Sequence, residues 1–261
     1  MPSPSAVASD RSHSGVSVVL ATLNERGNLP EVLDRIFRLP LDGLDVIVVD
    51  DGSTDGTREY VDERATREPR LRLVRHDGKQ TTLRAQCQGI DVSRGSRIIV
   101  MDADLQHPPE AIPDMLARLA GGASLVVASR YASGGSPGPR TPYRLALSRG
   151  AEWIARQAIP EARGVSDPVS GFFGFRREIF VPMNPLYRGY KLLLFVLVMS
   201  GGREVSEVGY RFEPRVHGAS KATEGFRFIR LFLIEVLLAR RLRKSLAGGD
   251  PLRETPIASR T

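Results

Sequence analysis

Five times in the first half of this chain a short apolar run breaks off into a polar turn and a new segment follows. The runs are VSVVLAT (Val16 to Thr22), VIVVD, LRLVRH, RIIVMD and SLVVAS, all rich in β-branched residues. Between them lie NERGNLPEVLDRIFRL, the charged stretch Arg58 to Arg67, Thr82 to Val92 and Pro109 to Leu119, which read as helices. Strands alternating with helices predict βαβ units with right-handed crossovers. VIVVD and RIIVMD are apolar on both faces, as strands covered by helices on each side must be. The expected fold class is α/β: one Rossmann-like domain on a mostly parallel central sheet, with helices on both faces.

Sheets of this kind bind ligands outside the carboxyl ends of their strands. The runs end in TLNE, DDGSTDGT and DADLQHPPE, so Asp50, Asp51, Asp102 and Asp104 converge on one crevice. A lone D-x-D is a weak signal, and a solvated turn capping the next helix explains it equally well. Placement favours chemistry: two carboxylates at a strand end can chelate one hard divalent cation, Mg²⁺ or Mn²⁺, with the Gln106 oxygen as a further ligand. Such an ion would neutralise a nucleotide diphosphate as leaving group. DDGSTDGT has a local explanation too, since Thr54 or Asp55 can cap a helix, while Asp50 could accept from the N–H groups of a base.

The 261 residues, 41% hydrophobic and 26% charged, suffice for one large domain or two small ones. A formal charge of +7 and a pI near 10.0 call for an acidic partner. Nucleic acid fits poorly, because the basic residues are dispersed, aromatics are only 7% and an acidic crevice repels a phosphate backbone. No G-x-G-x-x-G follows the first strand, which argues against a nicotinamide dehydrogenase. Cys87 is alone, so no internal disulfide framework exists. Residues 1–15 and 247–261 read as tails, without a signal peptide, and no stretch reaches the roughly 18–20 apolar residues of a membrane span. The expected location is cytoplasmic, peripheral at the cytoplasmic face of a membrane.

VVLATLNE, VIVVDDGSTDGT, VMDADLQHPPE, ASRYASGG, DPVSGFFGFRR and RVHGASKA follow one another in that order. Together they resemble an inverting family 2 glycosyltransferase with a GT-A fold, most like its dolichol- or polyprenol-phosphate mannosyltransferase branch. The resemblance spans about Val16 to Leu242, with a transferase domain over 16–222 and a C-terminal helix over 223–246. It implies GDP-mannose as donor, a polyprenyl phosphate as acceptor and a possible membrane partner protein. Carried onto this sequence, it assigns Ala21, Leu23, Glu25, Val49, Asp50 and Asp51 to the nucleotide, and Asp102 and Ala103 to the sugar nucleotide. Asp104 and Gln106 would bind the metal with Asp102 nearby; Arg215 and Lys221 would clamp the diphosphate. Arg130 would hold the lipid phosphate close to the sugar, assisted by Arg144 and Ser148, so that Arg130 and Asp104 carry catalysis. Two departures stand out. The family usually has a Pro and a Tyr where this chain has Ala21 and Leu23, which removes a ring that stacks on the base. KQTTLRAQCQG (Lys79 to Gly89) is more similar to relatives that move glucose or aminoarabinose from UDP onto undecaprenyl phosphate, an alternative kept open.

A phosphate acceptor is already ionised at neutral pH, so the expected displacement needs cations rather than a general base. His107 and His217, lacking the paired spacing of a metal site, read as structural. KLLLFVLVM (Lys191 to Met199) reads as a buried element beneath the site. GFRFIRLFLIEVLLARRLRK (Gly225 to Lys244) admits two readings: a helix lying in the membrane interface with a basic end, or a core helix closing the domain.

Overall fold

The computed structural model describes residues 15–248 apart from 77, 79, 140, 184–186, 188 and 215–224; of 225–228 only the backbone is described. Seven strands form one sheet: β1 (Val16–Thr22), β2 (Leu44–Asp50), β3 (Leu71–Arg75), β4 (Arg97–Asp102), β5 (Leu125–Ser129), β6 (Phe173–Arg176) and β7 (Val205–Gly209). Their order is β3-β2-β1-β4-β6-β5-β7, parallel throughout except that β6 runs against both of its neighbours. The helices are α1 (Leu29–Phe37), α2 (Thr57–Arg67), α3 (Thr82–Val92), α4 (Ile112–Ala120), α5 (Pro142–Ala158), α6 (Leu192–Ser200) and α7 (Gly225–Ala247).

Alternation along the strands divides the core in two, as side chains of period two require. Val19, Ile47, Val49, Ile98 and Val100 pack with α3, α6 and α7 on one face. Val18, Leu20, Val46, Val48, Ile99 and Met101 meet α1 and α4 on the other. The expected two-sided α/β sheet is what forms, and α6 is buried along its whole length.

Several elements differ locally from the sequence reading. The helix expected from Pro109 opens as a short 3-10 turn, Pro109–Ala111, before α4. α5 starts at Pro142, three residues ahead of Leu145, where Thr141 caps it by accepting from Arg144 N–H at 3.4 Å. Gly56, at φ 87°, is the N-cap of α2, while Asp55 one residue earlier accepts from Thr57 N–H at 3.1 Å. β6 and β7 have no counterpart in the sequence reading.

α3 carries Gly89 in its middle, against the general preference for Ala there. A Cβ at Gly89 would overlap Val19 Cγ1 and lie 3.0 Å from Val49 Cγ2, so glycine is what lets α3 approach the sheet. Gly89→Val is expected to lower the unfolding free energy by about 2–3 kcal/mol through overpacking, measured by urea denaturation.

Candidate active site

β1 lies between β2 and β4 with the strand ends level: Ala21 pairs with both Val49 and Asp102, and Thr22 pairs with Asp50. The acidic ends of β2 and β4 therefore flank the same two residues of β1. Each chain then turns sharply, through Asn24 at φ 55° and Leu105 at φ 63°. A leucine in the left-handed region costs about 1–2 kcal/mol. Leu105 is held there by burial in the core. Backbone strain beside a crevice marks a shape that the surroundings impose.

The TLNE and DDGSTDGT loops are stitched together. Ser53 Oγ accepts from Asn24 N–H (2.8 Å), Asn24 Oδ1 from Thr54 N–H (2.8 Å), Thr57 Oγ1 from Glu25 N–H (3.1 Å) and Asp55 Oδ2 from Arg26 N–H (3.0 Å). Much of the second motif thus builds the wall. Glu25, nearly buried, accepts from Asn28 Nδ2 at 2.7 Å. Ala21 and Leu23 are half-buried.

Asp50 is fully buried; its Oδ1 accepts from Gly52 N–H (3.2 Å), Ser53 N–H (3.0 Å) and Arg58 Nε. Burial would raise its pKa, but the Ser53 and Arg58 hydrogen bonds outweigh it and hold the carboxyl below the usual range. Its Oδ2 is buried without a hydrogen-bond partner, an acceptor a base N–H could satisfy. Asp51 Oδ1 accepts from Gln80 N–H at 2.7 Å and lies 3.3 Å from His76 Nδ1. Val49, assigned to the nucleotide by resemblance, is level with Ala21 at the strand ends, so only its backbone faces the rim. Its side chain is buried under α3 and its carbonyl accepts from Thr22 Oγ1.

On the β4 side Asp102 keeps 41% side-chain exposure, while Asp104 and Ala103 are almost covered. Gln106 is fixed twice: its N–H donates to Asp104 Oδ1 (3.2 Å) and its Nε2 to Glu213 O (3.2 Å). The second bond identifies the other amide atom as the oxygen. His107 Nδ1 accepts from Asp102 N–H at 3.2 Å, and its ring packs on Phe172, Tyr210 and Phe212. Burial above all, with Arg130 and Lys191 adding to it against Asp104 and Asp167, pushes its pKa down to about 4. This neutral imidazole is structural, as its isolated position in the sequence suggested. Gly171 leaves room beside Asp102, since a Cβ there would stand 2.9 Å from Oδ2.

The facing wall is cationic. Arg130 is nearly buried and bound by the fully buried Asp167 through Nε (2.6 Å) and Nη2 (2.7 Å). Desolvation alone would weaken its charge, but Asp167 more than restores it and the pKa rises. The Tyr131 ring lies 5.3 Å from the Arg130 guanidinium and 4.0 Å from that of Arg149, which brings α5 to this wall. On α5, Ser148 Oγ donates to the buried Glu152 (3.1 Å), and Arg144 is exposed. Lys191 Nζ donates to Val169 O at 2.9 Å. Burial and Arg130 lower its pKa while Asp102, Glu235 and Asp167 oppose the fall, which places its ammonium within electrostatic reach of both walls. Arg215, Lys221 and His217 lie outside the described residues.

Sequence reasoning passed over Asp167, Lys191 and His76. Asp167 stands in the quoted DPVSGFF, where a carboxylate ahead of an apolar strand hinted at a buried partner. Lys191 is the cation directly ahead of a nine-residue apolar helix.

A largely parallel sheet with level strand ends, oxygen donors on one rim and cations opposite is the arrangement of a GT-A glycosyltransferase fold. Residues 17–181 match the model of glycosyl transferase family 2, and the chain belongs to that family. It is 39% identical to a dolichol-phosphate mannosyltransferase of Pyrococcus furiosus over 79% of this chain and 58% of that one. A polyprenol monophosphomannose synthase of Mycolicibacterium smegmatis is 33% identical over 78% and 79% of the two chains. This chain therefore spans little more than half of the archaeal relative's length. Glucosyl-3-phosphoglycerate synthase from Mycobacterium tuberculosis, crystallised with Mn²⁺ and UDP, shares the fold at a TM-score of 0.65, with 22% identity over 88% of this chain and 81% of that one.

Removing Asp167 strands a buried guanidinium. Asp167→Ala is expected to cost about 3–5 kcal/mol of stability by chemical denaturation.

Proposed function

We propose that this protein transfers a mannosyl residue from GDP-mannose to a polyprenyl monophosphate, with inversion, at the cytoplasmic face of a membrane. The observation that carries the proposal is the pairing, across one crevice, of an oxygen-donor rim (Asp102, Asp104, Gln106) with two cations, the nearly buried Arg130 and the half-buried Lys191. The names of the relatives support the same chemistry.

The donor set fits a hard divalent ion: two carboxylates and an amide oxygen at one strand end, with space preserved by Gly171. Among the described residues no three His, Cys, Asp or Glu side chains could hold an ion together, so Asp102, Asp104 and Gln106 would hold it jointly with substrate phosphates. When bound there, Mg²⁺ or Mn²⁺ supplies charge neutralisation to the departing diphosphate.

The chain's own residues do the rest. Arg130, locked by Asp167 and unable to lose its charge, lowers the repulsion between the two anionic substrates and orients the acceptor with Arg144 and Ser148. An acceptor phosphate oxygen forms the new bond to the anomeric carbon as the bond to the GDP oxygen breaks on the opposite side. No proton moves, and none needs to: His107 is neutral, packed and already accepting a hydrogen bond. Arg215 and Lys221 would clamp the donor diphosphate. A second reading, a UDP-sugar donor of the glucose or aminoarabinose type with undecaprenyl phosphate, rests on the segment Lys79 to Gly89, while Leu23, half-buried where the family has a ring, offers the base no stacking surface.

The membrane contact is assigned to α7 together with α5. α7 buries Phe232, Val236, Ala239 and Leu242 in the core and exposes Ile229, Leu233, Ile234 and Leu237. Arg230, Arg240, Arg241 and Lys244 are exposed on the same helix, and α5, packed beside it, exposes Tyr143 and Trp153. Exposed aromatic and aliphatic side chains among cations suit an anionic interface. No described helix is long and apolar enough to cross a membrane. The helix can therefore close the core and lie on a bilayer at once.

With Mn²⁺, labelled GDP-mannose and polyprenyl phosphate, lipid-extractable label is expected, and Asp104→Ala is expected to reduce it by about 100-fold or more. No lipid label sinks the proposal, and label from UDP-glucose instead selects the second reading. Leu233→Glu with Leu237→Glu is expected to weaken co-sedimentation with anionic vesicles at least about tenfold, because each apolar side chain removed from the interface forfeits about 1.5–3 kcal/mol. Unchanged binding would remove the membrane assignment.

A further inference from the structure

α7 carries one carboxylate on its inner face. Glu235 is almost wholly buried, and its Oε1 accepts from the backbone N–H groups of Tyr190 and of Lys191, the latter at 2.7 Å. These amides stand just ahead of α6, at its N-cap residue Lys191 and the residue before it. A capping serine or aspartate accepts from amides two or three residues after it, so no single such residue would replace both bonds. Gly189 is fitted to the remote solution, since a Cβ on it would overlap the Glu235 carboxylate.

The turn so held has two outward connections. Lys191 sends its ammonium to Val169 O, in electrostatic range of Asp102, Asp167 and Arg130. Gly189 O accepts from Leu83 N–H at 3.0 Å, in the first turn of α3, and just before α3 Gln80 N–H donates to Asp51. One side chain of the outermost helix thus fixes a turn that reaches both the cationic wall and the nucleotide end of the crevice.

We propose that Glu235 is a positioning residue for the transfer reaction: by holding the Gly189–Lys191 turn it sets the Lys191 ammonium in the crevice and ties the seating of α7 to the geometry of the site. The inference rests on the transferase reading above. It makes a helix assigned to the membrane interface part of the catalytic framework, so α7 is more than an anchor.

The test is a double-mutant cycle in the full chain, read as kcat with GDP-mannose and polyprenyl phosphate. Glu235→Gln keeps an oxygen acceptor of the same reach and is expected to stay within about threefold of the parent. Glu235→Asp, which withdraws the carboxylate by one methylene, and Glu235→Ala are expected to lose about 10–100-fold. In a Lys191→Ala background the further loss should shrink to the part carried through α3, well below the loss in the parent, whereas a merely structural role would lower activity by the same factor in both backgrounds. Multiplying losses, or a Glu235→Gln as damaged as Glu235→Ala, would overturn the inference. If the alanine variant does not fold, the aspartate variant carries the cycle. Amide hydrogen exchange needs no substrate and judges the linkage separately. Glu235→Asp should raise exchange at Leu83, Tyr190 and Lys191 together, and unchanged protection there overturns the proposal. A parent protein inactive toward GDP-mannose would count against the mannosyl reading, and the exchange result would still decide the role of Glu235.

Discussion

The site exists because β1, β2 and β4 end at the same level. Parallel strands in register present their last residues along one rim, and here that rim places Asp50 and Asp102 on either side of Ala21 and Thr22. A one-residue slip in either neighbour would turn its carboxylate to the other face of the sheet. The apolar stretches of β2 and β4 prevent the slip, being packed on both faces by separate cores. The chemistry at the rim is thus set by hydrophobic burial well beneath it.

A crevice that is itself acidic and, on the proposed function, receives two anionic substrates would face repulsion on every side, and two kinds of positive charge would relieve it. One is the ion for which the oxygen donors are suited. The other is built in and is expensive to build, because a guanidinium as buried as Arg130 loses most of its hydration. Asp167 offsets that cost with two parallel hydrogen bonds, and the same bonds fix the plane of the fork. A buried pair of this kind is weak evidence of stabilisation. Its value lies in fixed geometry: the positive charge stands where it is needed before any substrate arrives, and no reorganisation is required during the reaction.

The sequence made β1 to β5 legible because each is a dense β-branched run, and the first four helices because they fill the gaps between those runs. β6 is four residues long and depends on pairing with two neighbours, while β7 is a half-buried edge strand, VSEVG, with little apolar signal. Both form because tertiary partners exist, which no local pattern reveals. Within the site, the acidic positions were readable from strand ends and turn chemistry. Their division of labour was not. DDGSTDGT reads as ligand-binding, yet Ser53, Thr54, Asp55 and Thr57 spend their polar atoms on the neighbouring loop. Arg130 was visible as a cation at a strand end, but its partner stands 37 residues further on. Lys191 resembled the polar end of an apolar helix, because only the fold brings it to Val169 and Asp102.

Glu235 shows the same limit most sharply. Along the sequence it interrupts the nearly all-apolar stretch Leu231 to Ala239, with nothing nearby to say which way it faces. The structure turns it inward. Burial raises its pKa, opposed by the hydrogen bonds from Lys191 and Tyr190, so the carboxyl sits where its charge is disfavoured and its acceptor oxygen is wanted. An apolar residue there would spare the desolvation but leave two amides at the head of α6 without partners, and each unsatisfied buried donor costs about 1–3 kcal/mol. Keeping the carboxylate makes sense only if the turn must be held from α7 rather than from within itself. A helix that closes the core with one stripe, and on the proposed reading meets lipid with another, is then also joined through a single side chain to the turn behind the crevice.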